Sequence, residues 1–129
     1  MKKEVIRFLE HAEDALNDAR YMYQNERLLA VANRAYYAVF YCLSALLASE
    51  GIYAEKHQTA HATFSEFFVG SARFDVQTIK LVRNSFAAHQ AADYDMDAFI
   101  STAEAQLLLD DAKLFYDLTR TYFAQNPVA

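Results

Sequence analysis

Apolar residues recur at three- and four-residue steps along nearly the whole chain, a period that marks amphipathic helices and not strands. From Lys3 to about Tyr23 they are Val5, Leu9, Ala12, Leu16, Ala19 and Tyr23, with Glu10, Glu13, Asp14 and Asp18 on the wet side. Asn25 offers an N-cap for a second helix running to Ser49, and Gly51 suits the left-handed position past its end. This second helix carries two stripes. One is Leu28, Val31, Ala32, Ala35, Val39, Leu43 and Leu46; the other is Asn33, Tyr37, Phe40 and Ser44, flanked by Arg34 and Tyr41. A helix apolar on two faces lies at the centre of a bundle or is buried by a partner chain, and in so short a sequence a partner is expected on one face.

A third, shorter helix is expected over about Gln58 to Val69, stopping at Gly70. Asp75 is placed to cap a fourth, in which Val76, Ile79, Val82 and Phe86 keep helical spacing. The run Asp93-Tyr94-Asp95-Met96-Asp97 reads as a break, with Asp97 capping a long fifth helix through Phe99, Ala103, Leu107, Leu108, Ala112, Phe115, Leu118 and Tyr122; Pro127 lies beyond its end. No internal repeat or linker interrupts the pattern. The expected fold is all-α, an up-and-down bundle of four to five helices, one domain over residues 1–129.

Composition agrees. With 54% hydrophobic residues the chain can fill a core, while 2 Gly and 1 Pro leave too little turn chemistry for a many-stranded β protein. The net charge of −5 is the wrong sign for coating duplex DNA, so any nucleic-acid contact must be local. Residues 51–92 are the exception: they carry a net +1 and hold His57, His61 and His89. Cys42 is the only cysteine, which excludes an internal disulfide, and no window approaches the roughly 20 apolar residues of a membrane span. A cytoplasmic location without membrane contact is expected.

The densest chemistry lies in LVRNSFAAH, where Arg83 is followed by Asn84 and, six positions on, by His89. Arginine holds a phosphate through a planar fork, and histidine exchanges protons near neutral pH, so the pair suits phosphodiester cleavage in which RNA supplies its own 2′-OH nucleophile. Six residues on one straight helix amount to about 240° of rotation and ~9 Å of rise, so the two tips diverge. Either the helix bends near His89 or the site is assembled across a two-fold dimer. The plain alternative is a salt-bridged Arg and a capping or half-buried His.

His57 and His61, at i and i+4, have a spacing that can chelate zinc, but no third ligand stands at a suggestive distance in sequence; a helix-end role or the lining of a basic cleft is the alternative. No metal or other cofactor is expected. Tyr36, Tyr37, Phe40 and Tyr41 could stack on bases, though aromatic stripes on a buried helix more often pack a core. Cys42 reads as inert core.

NRAYYAVFY at 33–41, KHQTAHATFSEFFV at 56–69, the RN-x4-H element at 83–89 and ADYD at 92–95 together resemble the HEPN domain, the higher-eukaryote and prokaryote nucleotide-binding helical domain. The resemblance implies a small helical bundle that forms a homodimer, often encoded beside a minimal nucleotidyltransferase antitoxin in a toxin–antitoxin pair. It further implies a metal-independent ribonuclease whose Arg83, Asn84 and His89 line a cleft at the dimer interface, with Arg34 and Tyr37 supporting or bordering it and RNA or a nucleotide as ligand; His57 and Lys80 are further candidates for substrate binding or support of the cleft. The family branch modified by its nucleotidyltransferase has a Tyr two positions after the His, where Ala91 stands here. The alternative is a non-catalytic module that binds a nucleotide or a partner nucleotidyltransferase.

Overall fold

In the computed structural model, which describes residues 2–128, five α-helices follow one another: α1 (Lys3–Gln24), α2 (Leu28–Ser49), α3 (His57–Phe64), α4 (Gln77–Tyr94) and α5 (Thr102–Gln125). Among the described residues there is no strand, as the helical period requires. Lys2 Nζ reaches the Ala48 carbonyl at 3.5 Å, so α1 and α2 are antiparallel. Asn33 meets Asp93 while Tyr36 meets Phe86, so α4 runs antiparallel to α2 as well. Tyr116 donates to Glu13, and Cys42 lies beside Thr119, which sets α5 against α1 and alongside α2. The four long helices thus go up, down, up, down, and α3 crosses one side.

The two stripes of α2 have a structural reason: the helix is central and touches α1, α3, α4 and α5. Val31, Val39, Leu43 and Leu46 are sealed against α1 and α5, whereas Asn33, Tyr37, Phe40, Tyr41 and Ser44 on the second face stay half-buried. An aromatic seam, Phe64, Phe68, Phe74 and Phe115, closes the core, with Phe64 and Phe115 edge to face at 5.6 Å. Each fully buried side chain of this size contributes about 1.5–3 kcal/mol of hydrophobic stabilisation.

Helix ends correct the sequence reading at three places. Asn25 does not cap α2; its Nδ2 donates back to the Tyr21 carbonyl at 2.8 Å, and Glu26 takes a left-handed φ of 58°, so Asn25 closes α1 and α2 begins at Leu28 with no side-chain cap. Asp97 does not cap α5 either. Its backbone N–H is taken by Asp95 in a local turn, Phe99 is 84% exposed, and the cap is Ser101, whose Oγ accepts from the Glu104 N–H and donates to the Glu104 carboxylate. The third segment changes character midway: after Phe64 it widens into a π-helical turn, Ser65–Val69, closed by Gly70 N–H donating to Ser65 at 2.9 Å. Gly51 does take the left-handed position, φ 73°, past α2, and Asp75 accepts from Gln77 N–H at the start of α4.

Candidate functional site

Three helices deliver one titratable or aromatic face each to a common point. On α2, Asn33, Tyr36, Tyr37 and Phe40 share a side; on α4, Phe86, His89 and Asp93 do, at steps of three and four; on α3, His57 and His61 stand one turn apart. Tyr36 is their meeting place. It is fully buried, and its hydroxyl lies 2.7 Å from His57 Nδ1 and 2.9 Å from His61 Nε2. A phenol has one proton to give, so one imidazole accepts it and the other donates its own N–H to the same oxygen. The i, i+4 histidine pair therefore converges on a hydroxyl. Among the described residues no three His, Cys, Asp or Glu side chains gather as a metal ion would need.

His89 stacks on the Tyr36 ring at 4.9 Å with 17° between planes, meets the Tyr37 ring edge-on at 5.3 Å, and is 5% exposed. Its Nδ1 faces Asp93 Oδ2 at 3.4 Å, one turn along α4, and the Asn33 amide donates to both Asp93 oxygens at 3.1 and 3.3 Å. The same Nδ1 lies 3.5 Å from the Asn33 amide nitrogen, a donor: with its proton on Nδ1 the ring directs it at the Asp93 carboxylate and Nε2 keeps its lone pair, and in the other tautomer Nδ1 accepts from Asn33. Among the described residues Nε2 has no hydrogen-bond partner, and it is not one of the buried atoms left without a partner there, which are Arg34 Nε and Ser85 Oγ. The open edge of the ring is therefore at Nε2.

Burial disfavours the charged form of all three imidazoles. It lowers His57 from the ordinary histidine value, and takes His61 down to about 4 with the help of His57 and the Arg83 charge. At His89 burial also lowers the pKa, Asp93 opposes it, and His57 and Arg34 add to the lowering. Burial pushes the Tyr36 phenol well above its usual range, so it stays a hydroxyl.

Arg83 goes elsewhere. It lines a cavity of about 440 Å³ between α3 and α4, together with Gln58, His61, Glu66 and an apolar wall of Phe64, Ile79 and Val82. α4 is an unbroken helix from Gln77 to Tyr94, so Arg83 and His89, six residues apart, leave it on different sides and within one chain occupy separate surroundings joined through His61, Tyr36 and Phe86. Asn84 and Lys80 are exposed on the same helix. The cation near His89 is Arg34, whose guanidinium lies 5.1 Å over the Tyr37 ring. Tyr37 borders His89, and His57 sits against Phe40 and Phe86.

Sequence reasoning passed over Asn33 and Asp93 as parts of the site. Asp93 stands four residues after His89, a signal that was present but hidden by reading the helix as ending there; Asn33 could be placed only by the antiparallel pairing of α2 with α4. Cys42 is buried with its thiol pushed up to about 12, an unreactive core position.

With this geometry the relatives can be placed. Residues 5–122 match the HEPN domain model. The chain is 31% identical over 127 residues to "Putative toxin MJ0142" of Methanocaldococcus jannaschii, covering 98% of this chain and 86% of that one. It is 34% identical over 94 residues to a "UPF0332 protein" of Thermotoga maritima, with 72% and 71% covered. A second M. jannaschii protein, "Putative toxin MJ0605", is 26% identical over 117 residues, with 91% and 87% covered. The chain belongs to the HEPN family, the one its motifs resemble. Among the described residues no helix is long and apolar enough to cross a membrane.

Proposed function

We propose that the protein is a cytoplasmic toxin-class ribonuclease that cleaves RNA without a metal, at a site built across a two-fold homodimer. The observation that carries this is His89: an imidazole whose charged form burial disfavours, with Asp93 and Asn33 at Nδ1 and Nε2 unpartnered among the described residues, so that the tautomer with its proton on Nδ1, facing Asp93, leaves a free lone pair on Nε2. That is the state a general base needs. Nε2 takes the proton of the RNA 2′-OH, the 2′-oxygen attacks phosphorus, and the P–O5′ bond breaks. The imidazolium then protonates the leaving O5′, and a 2′,3′-cyclic phosphate remains. Arg83 of the second subunit steadies the phosphorane charge and Asn84 hydrogen-bonds a phosphate oxygen. Supporting the two-chain arrangement are the straight α4, which keeps the two side chains apart within one chain, and the half-buried second face of α2. The names of the M. jannaschii relatives support the toxin reading, and a minimal nucleotidyltransferase is the proposed antitoxin.

The test is cleavage of labelled RNA in EDTA by the wild type, Arg83→Ala and His89→Ala. Wild-type cleavage with both variants inactive is expected; no cleavage, or equal cleavage by His89→Ala, overturns the reading. Mixing and refolding the two inactive variants places both changes in one site of each heterodimer and leaves the other intact, so about a quarter of wild-type activity returns. Failure to recover rejects the shared site. A nucleotide that raises the melting temperature of a protein unable to cleave assigns the non-catalytic alternative instead.

A further inference from the structure

The cavity between α3 and α4 does not include His89, yet it brings charged, amide and apolar side chains together. At about 440 Å³ it falls within the size range of small-molecule sites. One wall is apolar, Phe64, Ile79 and Val82; the others bring an amide, Gln58, a carboxylate, Glu66, and the guanidinium of Arg83. Neither Glu66 nor Arg83 forms a salt bridge within the described residues, so both charges remain for a ligand.

Glu66 is held in an unusual way. It lies in the π-helical turn Ser65–Val69, and such turns are rare and concentrate at functional sites. The turn depends on Gly70, because a Cβ there would come within 2.5 Å of the Glu66 carbonyl oxygen. A regular α-helix would carry the Glu66 side chain on a different rotation, so the wide turn and the glycine together set where that carboxylate stands.

We propose that this cavity is a base-selecting subsite that takes a guanine of single-stranded RNA. The apolar wall receives the flat base, Glu66 accepts from its Watson–Crick edge, Gln58 donates to O6, and Arg83 faces the adjoining phosphate. Guanine follows from the chemistry of a carboxylate, which only accepts: guanine alone presents two adjacent donors, N1–H and the N2 amino group, at the spacing two carboxylate oxygens can share. Adenine and cytosine offer one amino group beside an acceptor nitrogen, and uracil one N–H between two carbonyls. His61 forms part of the same cavity and is tied through the Tyr36 hydroxyl to the ring that stacks on His89, so an occupied subsite connects to the proposed base through two side chains. The inference rests on the reading that the ligand is RNA.

The experiment titrates the full-length protein with guanosine, adenosine, cytidine and uridine 3′-monophosphates, following binding by calorimetry and the His61 imidazole by NMR. The guanosine nucleotide is expected to bind about tenfold more tightly than the others and to shift the His61 signals, and Glu66→Gln, which keeps the shape but replaces one acceptor by a donor, is expected to lose that tenfold preference. Equal affinity for all four, undetectable binding of the guanosine nucleotide, an unmoved His61, or a preference retained in Glu66→Gln overturns the proposal. These probes contain no scissile phosphodiester, so the outcome does not depend on cleavage. Cleavage with no preference for guanosine rejects the subsite alone, and guanosine binding without cleavage rejects the nuclease alone.

Discussion

Tyr36→Phe removes one oxygen from the centre of the histidine cluster and nothing else. The ring keeps its stack on His89 at 4.9 Å and its contact with Phe86 at 5.2 Å, so packing loss is minimal. What disappears are the hydrogen bonds to His57 Nδ1 at 2.7 Å and His61 Nε2 at 2.9 Å. Each contributes about 0.5–1.5 kcal/mol net, and two imidazole nitrogens lose a partner in a half-buried setting, so the total cost is about 2 kcal/mol. For a domain of 129 residues that lowers the melting temperature by about 6–10 °C. Thermal unfolding followed by circular dichroism at one fixed protein concentration, so that any dimerisation contributes equally, reads it. Tyr37→Phe is the control: its hydroxyl has no hydrogen bond among the described residues, and a shift within about ±0.5 kcal/mol is expected. A Tyr36→Phe melting temperature within a degree of wild type, or equal to that of Tyr37→Phe, refutes the hydroxyl's role as the bridge.

Lowering the pH destabilises the fold through the same cluster. His57, His61 and His89 have folded values below the ordinary 6.5, so between 6.5 and about 4 the unfolded chain binds more protons, and stability that is full above 6.5 is lost as the pH falls. Melting temperatures should drop by several degrees from pH 7.5 to 5; a flat or rising trend contradicts the desolvated cluster. Gly70→Ala should cost about 1–3 kcal/mol, since its Cβ meets backbone at 2.5 Å, and should cost more than Gly51→Ala, whose Cβ meets nothing within 4 Å and bears only the strain of a φ of 73°. Ser101→Ala should lose about 1 kcal/mol in chemical denaturation while Asp97→Ala stays near zero; the reverse order would restore Asp97 as the cap of α5.

The helices themselves were legible because a 3.6-residue period in apolar positions is local information, and so were the two stripes of α2, Val31 to Leu46 and Asn33 to Ser44; that α3 and α4 of the same chain pack on the second stripe, where a partner chain was expected, was decided by the tertiary packing. Chain ends of the helices were less so. Asn25 is as good a back-bonding cap for α1 as a forward cap for α2, and the choice is made by Glu26, which turns left-handed without a glycine to announce it. Asp97 lost to Ser101 because the Ser101 hydroxyl takes the otherwise unpaired Glu104 N–H and gives its own proton to the Glu104 carboxylate, while Asp97 spends its own N–H on Asp95.

By itself, then, the amino-acid order determined the all-helical class, the approximate limits of the five helices, the buried inertness of Cys42, the family, and the short list of side chains capable of phosphate and proton chemistry. Tertiary structure alone decided how that list divides. Antiparallel packing of α2 on α4 brought Asn33 to Asp93 and set both beside Nδ1 of His89; α3 folding across them spent the His57–His61 pair on Tyr36; and the uninterrupted rise of α4 sent Arg83 into a different cavity. The physical reason is that helix formation is settled by neighbours within four residues, whereas a site joins groups 21 to 60 positions apart, whose meeting depends on which faces the core has already claimed.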